Sequence, residues 1–318
     1  MNPQEIFRNR KFKRVVLDPP NFNPGSWRGA GKLLLEEDEY WLTSRPRTVE
    51  TRGYGVEVFH SNNGEDFHLV SLVTKEEIAA TAEIKVFSIE NNQLIRDPST
   101  GKYHLYASLN VGAERPERWE TYLLTADDPR GPWRGEGFVI RTDRPYDSEE
   151  ARDCTVDVLD GRYLGLCKAR AQGSEKIYTE LLTSRDGRNW VKLGIPTVDG
   201  RQQDPDPAFL LNGDIHPSVY GPMLVGTVTT FYRNAHVTKY VGAYVIDLKG
   251  NNLEEIFRGE WRKSSPFERE DFPIHTYCNV IWDQRVGKWR ILVEAIDPVH
   301  TREIGVNTEV DRVLLYES

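Results

Sequence analysis

The chain is short of cysteine, of basic charge in excess and of long apolar runs, and each shortage removes a class of protein. Three cysteines, Cys154, Cys167 and Cys278, are an odd number without metal-ligand spacing. They argue against a disulfide framework and a zinc site, and for a reducing compartment. No run of about 18 apolar residues exists to span a membrane. The opening Met-Asn-Pro-Gln-Glu has no apolar stretch of a secretory signal, so a cytoplasmic location is expected. The net charge of −8 is carried by scattered residues with no basic stripe, which speaks against nucleic acid. Gly-x-Gly-x-x-Gly, a P-loop, His-Glu-x-x-His and Gly-x-Ser-x-Gly are all missing.

What the 318 residues do contain is aromatic side chains, 11% of the total with eight tryptophans, and a repeat. A tight turn followed by a bulky residue and a strand recurs at Tyr40, Tyr103, Tyr163, Met223 and Trp289, spaced 63, 60, 60 and 66 residues apart. Self-similarity at one period marks a repeat architecture. A second element recurs at fixed phase: Ser61-Asn62-Asn63-Gly64-Glu65-Asp66-Phe67, Asp127-Asp128-Pro129-Arg130-Gly131-Pro132-Trp133 and Ser184-Arg185-Asp186-Gly187-Arg188-Asn189-Trp190. Asn, Asp and Gly tolerate left-handed backbone, so these read as hairpin turns.

Each unit therefore reads as four antiparallel strands; in the third they are 154–159, 163–170, 177–184 and 190–193. Four-stranded sheets repeated radially describe an all-β, five-bladed β-propeller, here one domain over 1–318. Only 75–82 has a helical pattern. The strands left over, 14–17 and 311–316, are expected to close the ring by pairing near the chain ends.

In such a ring the inner strands converge on a central channel. Carboxylates stand at the start of three of them: Glu90, Asp153, and Asp204 or Asp206 in Asp204-Pro205-Asp206-Pro207. His275 and Tyr277 stand at another, and Asp18 lies just upstream of the first. Two carboxylates in one polar pocket, one protonated and one ionised, are what glycosidic cleavage needs. Taken singly, each has a structural alternative. Asp153 adjoins Arg152, Glu90 can pair with Arg96, and the Asp-Pro repeat can be only a stiff loop. Arg45, Arg47, Lys168 and Arg170 follow second strands and can hold hydroxyls or phosphate. No ligand spacing predicts a metal.

These segments resemble the five-bladed glycosidases, most closely glycoside hydrolase family 130, the β-mannoside phosphorylases and mannosidases, and more distantly families 43, 32 and 62. Leu42-Thr43-Ser44-Arg45-Pro46-Arg47 with the 61–67 hairpin is similar to that family's arginine strand and Ser-x-Asp-Gly-x-x-Phe turn. Ile89-Glu90-Asn91 is similar to its second blade, and Arg152-Asp153-Cys154 to its Lys-Asp-Ala strand. The family's acid position falls on Asn91 here, without the Pro-Arg that follows it. The resemblance leaves three roles open: Glu90 as acid, Asp153 as acid, or a chain that binds sugar without cutting it.

The expected activity is hydrolysis of a small oligosaccharide or glycoside from its non-reducing end. Glu90 and Asp153 form the expected catalytic pair, with Asp206 or Asp204 as a third member. Asp18, Arg45, Arg47, Asn91, Lys168, Arg170, Asp204, His275 and Tyr277 are the expected substrate contacts. The expected partner is a small carbohydrate, with no nucleic acid, no membrane and no cofactor. Phosphate enters as co-substrate if the enzyme is a phosphorylase, and a homo-oligomer is compatible with the composition.

Overall fold

The structure, a computed structural model, describes residues 1–29, 31–112, 117–230 and 237–318. A short helix α1 (Pro3–Arg8) and strand β1 (Lys11–Leu17) come first. Unit one holds β2 (Ser26–Gly29), β3 (Leu33–Glu36), β4 (Glu39–Arg47), β5 (Gly55–Ser61) and β6 (His68–Thr74), followed by α2 (Lys75–Ala82). Unit two is β7 (Ser88–Arg96), β8 (Tyr103–Asn110), β9 (Trp119–Ala126) and β10 (Arg134–Ile140). Unit three is β11 (Glu150–Leu159), β12 (Arg162–Arg170), β13 (Tyr178–Ser184) and β14 (Trp190–Gly194), then the short β15 (Thr197–Val198). Unit four is β16 (Leu210–Ser218), β17 (Gly221–Thr229), β18 (Val237–Thr238), β19 (Tyr240–Asp247) and β20 (Asn252–Glu260). Unit five is β21 (Ile274–Asp283), β22 (Lys288–Ile296) and β23 (Val310–Glu317), completed by β1.

The antiparallel pairing groups strands in fours, as the repeat implies. Helix α2 occupies the 75–82 segment, started by a capping box of Thr74 and Glu77. The leftover ends do meet: β1 pairs antiparallel with β23, so the first strand of the chain is the outer strand of the last unit.

Neighbouring units are joined in one repeated way, near the start of a third strand and the start of the next inner strand. Ile89 N donates to Gly53 O, and Trp119 pairs with Glu150, Ile177 with Ala208 and Val237 with His275. Trp27 pairs with Asp311 and returns the cycle from unit five to unit one. Apolar clusters fill the same junctions. Val56 packs with Ile89 and Leu105, Leu123 with Val156, Leu166 with Leu224, Val225 with Val280, and Leu315 with Leu42.

Two of the three hairpin turns share one mechanism. Ser61 Oγ accepts from the backbone N–H of Asn63 and Gly64, while Ser184 Oγ accepts from Asp186 and Gly187. Gly64 and Gly187 both have positive φ, and a Cβ at Gly187 would lie 2.4 Å from the Tyr106 hydroxyl. The repeated anchors are explained too. Tyr163 and Tyr40 donate their hydroxyls to Asp97 and Asp283, each in the first turn of the preceding unit.

Strand pairing also corrects the cysteine expectation. Cys154 and Cys167 are joined by a disulfide across β11 and β12, while Cys278 is free and buried. Spacing along a chain does not reveal which residues face each other on adjacent strands. Among the described residues no helix is long and apolar enough to cross a membrane.

The inner strands of successive units do not form ladders with one another, and side chains satisfy their backbone. Gln93 accepts from Val156 N, Thr155 from Gly213 N and Asp157 from Ile215 N. Asn212 accepts from Cys278 N, Asp214 from Val280 N and Asn279 from Leu33 N. Lys32 sits fully buried between Asp157 (2.7 Å) and Asp214 (2.5 Å). Removing one partner of a buried pair leaves an uncompensated charge, at a cost of about 3–5 kcal/mol. Lys32→Met, which strands both Asp157 and Asp214, is expected to lose about that much in urea unfolding. A loss under about 1 kcal/mol would contradict this account of the inner strands.

Candidate active site

Inner strands β7, β11 and β21 share an irregularity that β16 lacks. Their register against the second strand slips between Ile89 and Asn92, between Arg152 and Thr155, and between Ile274 and Cys278. The β16 register runs unbroken from Leu210 to Ser218. A bulge bends its strand and re-aims the extra residue. The residues released are Glu90 and Asn91, Asp153, and His275 with Tyr277. Asp153 is held at φ 52°, a left-handed conformation that a non-glycine residue adopts only under constraint.

The second strands supply the cations. Arg45, Lys168 and Glu294 each lie five residues after the aromatic anchor of their unit, and Ser108 stands at the same phase. Arg45 is completely buried, with its Nε 3.4 Å from Glu90 Oε2 and its Nη2 3.9 Å from Glu294 Oε1. None of its three guanidinium nitrogens finds a hydrogen-bond partner among the described residues. Arg47 approaches Glu90 Oε1 to 3.7 Å and donates to Val306 O and Asn307 Oδ1. Both guanidiniums lie over the Trp27 ring, at 5.2 and 4.6 Å from its centroid. Trp27 in turn packs against His275, whose ring stacks on Tyr277.

Beside this group lies a second ion cluster. Arg152 bonds Glu150 at 2.9 Å and reaches Asp153 Oδ2 at 3.3 Å. Lys168 Nζ is 2.6 Å from Glu150 and 4.0 Å from Asp153, and Ser108 Oγ accepts the backbone N–H of Asp153. Arg170, at the margin, pairs with Glu149 and Glu150.

The two carboxylates in the bulges are driven in opposite directions. Burial pushes the Glu90 carboxyl up, but the guanidiniums of Arg45, Arg47 and Arg152 outweigh it and hold it down at about 2. For Asp153 burial wins over Arg152 and Lys168, and its carboxyl is raised. Lys168 is brought down to about 8 by burial and by Arg152. His275 falls to about 3, through burial and the positive charge of Arg45, so its ring is neutral. Arg152 and Tyr277 both feel Glu90 and Asp153 electrostatically, which places the two carboxylates in one neighbourhood.

Of the expected residues, Glu90, Asn91, Asp153, His275, Tyr277, Arg45, Arg47 and Lys168 are brought together, and Arg170 joins at the edge. Three are not. Asp204 and Asp206 sit exposed in the loop before β16, with Asp204 paired to Lys176 at 2.8 Å. The inner strand of unit four begins only at Leu210, so the Asp-Pro repeat stays outside it. Asp18 is also exposed and pairs with Arg312, at the end of an outer strand rather than an inner one.

Glu150, Glu294, Glu309 and Asp311 are buried here without having been singled out. Glu294 had a signal, since it repeats the phase of Arg45 and Lys168. Glu309 and Asp311 had none, because they enter from the start of β23, a third strand. Burial, reinforced by Glu294, pushes the Glu309 carboxyl up to about 8. Burial with Glu309 and Glu294 raises Asp311 well above the carboxylate range.

No family model and no curated protein sequence matches the chain. Solved structures do. An N-acetylgalactosamine deacetylase from F. plautii, in complex with blood group B trisaccharide, is 11% identical with a TM-score of 0.65, over 97% of this chain and 95% of that one. A family-43 β-xylosidase/α-arabinofuranosidase from a compost microbial metagenome, in complex with xylotriose, is 12% identical with a TM-score of 0.63, over 95% and 94%. The family-32 β-fructofuranosidase of Bombyx mori is 12% identical with a TM-score of 0.66, over 96% of this chain. The chain spans 62% of that longer protein. At these identities the likeness speaks for the fold.

The electrostatics of Glu90 carry a consequence for acid stability. Its folded carboxyl lies below the unfolded value of about 4.3, so its contribution is present above that pH. It is lost as pH falls toward about 2. Urea midpoints measured against pH are therefore expected to drop more steeply over this window in the native protein than in Glu90→Gln. Parallel profiles would mean that Glu90 is not held by the arginines.

Proposed function

We propose that the cycle of five sheets is a five-bladed β-propeller formed by residues 1–318 as one domain. We further propose that the chain is a glycoside hydrolase acting on a small oligosaccharide or glycoside from its non-reducing end. The observation that carries the reading is the pair of carboxyls released by equivalent bulges in adjacent units and pushed apart in proton affinity. Neighbouring carboxyls whose surroundings drive their pKa values apart divide the roles of acid and base. The fold shared with carbohydrate-active enzymes of families 43 and 32 supports the substrate class.

In this reading Asp153 is the proton donor. Its carboxyl is raised, its Oδ2 lacks a hydrogen bond among the described residues, and the Ser108 hydroxyl holds its backbone in place. It protonates the leaving glycosidic oxygen. Glu90 stays ionised between Arg45 and Arg47 and supports the positive charge that develops on the sugar ring, or directs water. Arg45 with its free donors, Asn91 with an unbonded Nδ2 and the neutral His275 bind hydroxyls. Trp27 and Tyr277 border them as aromatic walls. Asp206 and Asp204 have no part in the chemistry.

A second reading, an inverting phosphorylase as in family 130, draws on Arg45 and Arg47, two adjacent buried guanidiniums suited to a phosphate. Assay on a panel of aryl glycosides with and without phosphate separates the two. Hydrolysis independent of phosphate is expected. Phosphate-dependent release of a sugar phosphate would favour the phosphorylase, and tight binding without product a non-catalytic carbohydrate-binding propeller. Asp153→Asn, which keeps the shape of the neutral acid, is expected to lower kcat by about 10²–10⁴ with substrate affinity retained. Near-native turnover in this variant would sink the assignment of Asp153.

A further inference from the structure

Beside Glu90, His275 stands with two carboxyls that the proposed hydrolysis does not use. His275 leaves the β21 bulge, Glu309 immediately precedes β23, and Asp311 lies within it. All three are buried, at 2%, 0% and 0% exposure. One donor atom from each falls within 4.8 Å of the others, and His275 Nε2 is 3.8 Å from Glu309 Oε2.

Their polar atoms are poorly answered by protein. Neither ring nitrogen of His275 finds a hydrogen-bond partner among the described residues, and Glu309 and Asp311 have only loose contacts, with the Gly305 backbone and the Glu294 side chain. Buried polar groups are nearly always satisfied, so an orphaned imidazole beside two loosely held carboxyls calls for a partner that is not a side chain.

Formal charge points the same way. The cluster of Glu150 and Asp153 with Arg152 and Lys168 is balanced. The adjoining one holds four carboxylates, Glu90, Glu294, Glu309 and Asp311, against the two guanidiniums of Arg45 and Arg47. Fully ionised, these carboxyls would exceed the guanidiniums by two charges, which one divalent cation matches.

We propose that His275, Glu309 and Asp311 form a binding site for one divalent first-row metal ion, Zn²⁺ or Mn²⁺. The donor set, one imidazole nitrogen and two carboxylate oxygens, suits these ions, whereas Ca²⁺ and Mg²⁺ favour oxygen alone. At metal–ligand bonds of about 2.0–2.2 Å, neighbouring donors stand about 3–4 Å apart, so the observed spread closes with small side-chain movements. The imidazole is already oriented, clamped between the Trp27 and Tyr277 rings, and Trp27 Nε1 ties the Glu309 backbone at 3.0 Å. Three protein ligands leave coordination positions for oxygen atoms of a substrate, the arrangement of catalytic rather than structural metal sites. In sequence the ligands at 275, 309 and 311 match no metal motif.

The test reads metal occupancy and so stands apart from the glycosidase assignment. The full chain is stripped with chelator and titrated with Mn²⁺, free ion being followed by electron paramagnetic resonance. Zn²⁺ retained after desalting is measured by elemental analysis. One equivalent of either ion and a rise in Tm on loading are expected. Glu309→Gln and Asp311→Asn should each weaken binding about tenfold to a hundredfold or more. Each should leave the metal-free Tm equal to or above that of the native chain, since each replaces a buried, poorly satisfied carboxyl. The proposal falls if the native chain retains neither ion, if it takes up Ca²⁺ alone, or if both variants bind as tightly as the native chain.

Discussion

Five repeated units joined in a cycle must bring their inner strands together without letting them pair, and this constraint organises the molecule. An unpaired buried backbone N–H is costly. The chain meets the requirement with a side chain from the preceding unit at four of the five junctions: Gln93, Thr155, Asp157, Asn212, Asp214 and Asn279. The last of these crosses from unit five to unit one, so the ring closes through the same device that builds it. Polar residues in the middle of the inner strands are thus structural, and buried Lys32 ties two of them, Asp157 and Asp214, together.

The same geometry creates the site. Where an inner strand bulges, its side chain leaves the ladder and enters the space that the cycle leaves open. Three bulges do this at related positions, and second strands answer with Arg45, Lys168 and Glu294. Because the space is buried, charges there act strongly on one another. Glu90 and Asp153, alike in chemistry, are separated by their neighbours: three guanidiniums dominate for one and desolvation for the other. The disulfide between Cys154 and Cys167 starts at the residue after Asp153 and fastens the bulge to the next strand.

Much of this was readable in the one-dimensional text because the units repeat. Period and phase located the anchors, the serine-centred turns, the helix at 75–82 and the pairing of the two chain ends. Counting five residues on from each anchor would also have found Glu294 and Ser108. What failed did so where the repeat is imperfect. Unit four begins its inner strand late and without a bulge, so Asp204 and Asp206, though correctly spaced, remain on the outside. The cysteines failed for another reason: pairing between strands depends on register, and a bulge shifts register by a residue.

The sequence by itself determined the all-β class, the four-stranded unit and the carboxylates at the heads of inner strands, because alternation, turn chemistry and repeat period are local properties of the chain. Only the tertiary structure decided which charges share the buried space, because proximity across the ring joins residues as remote as Arg45 and Glu294 or His275 and Glu309. It therefore decided which carboxyl is held ionised and which keeps its proton, for that balance is a sum over neighbours that no single segment contains.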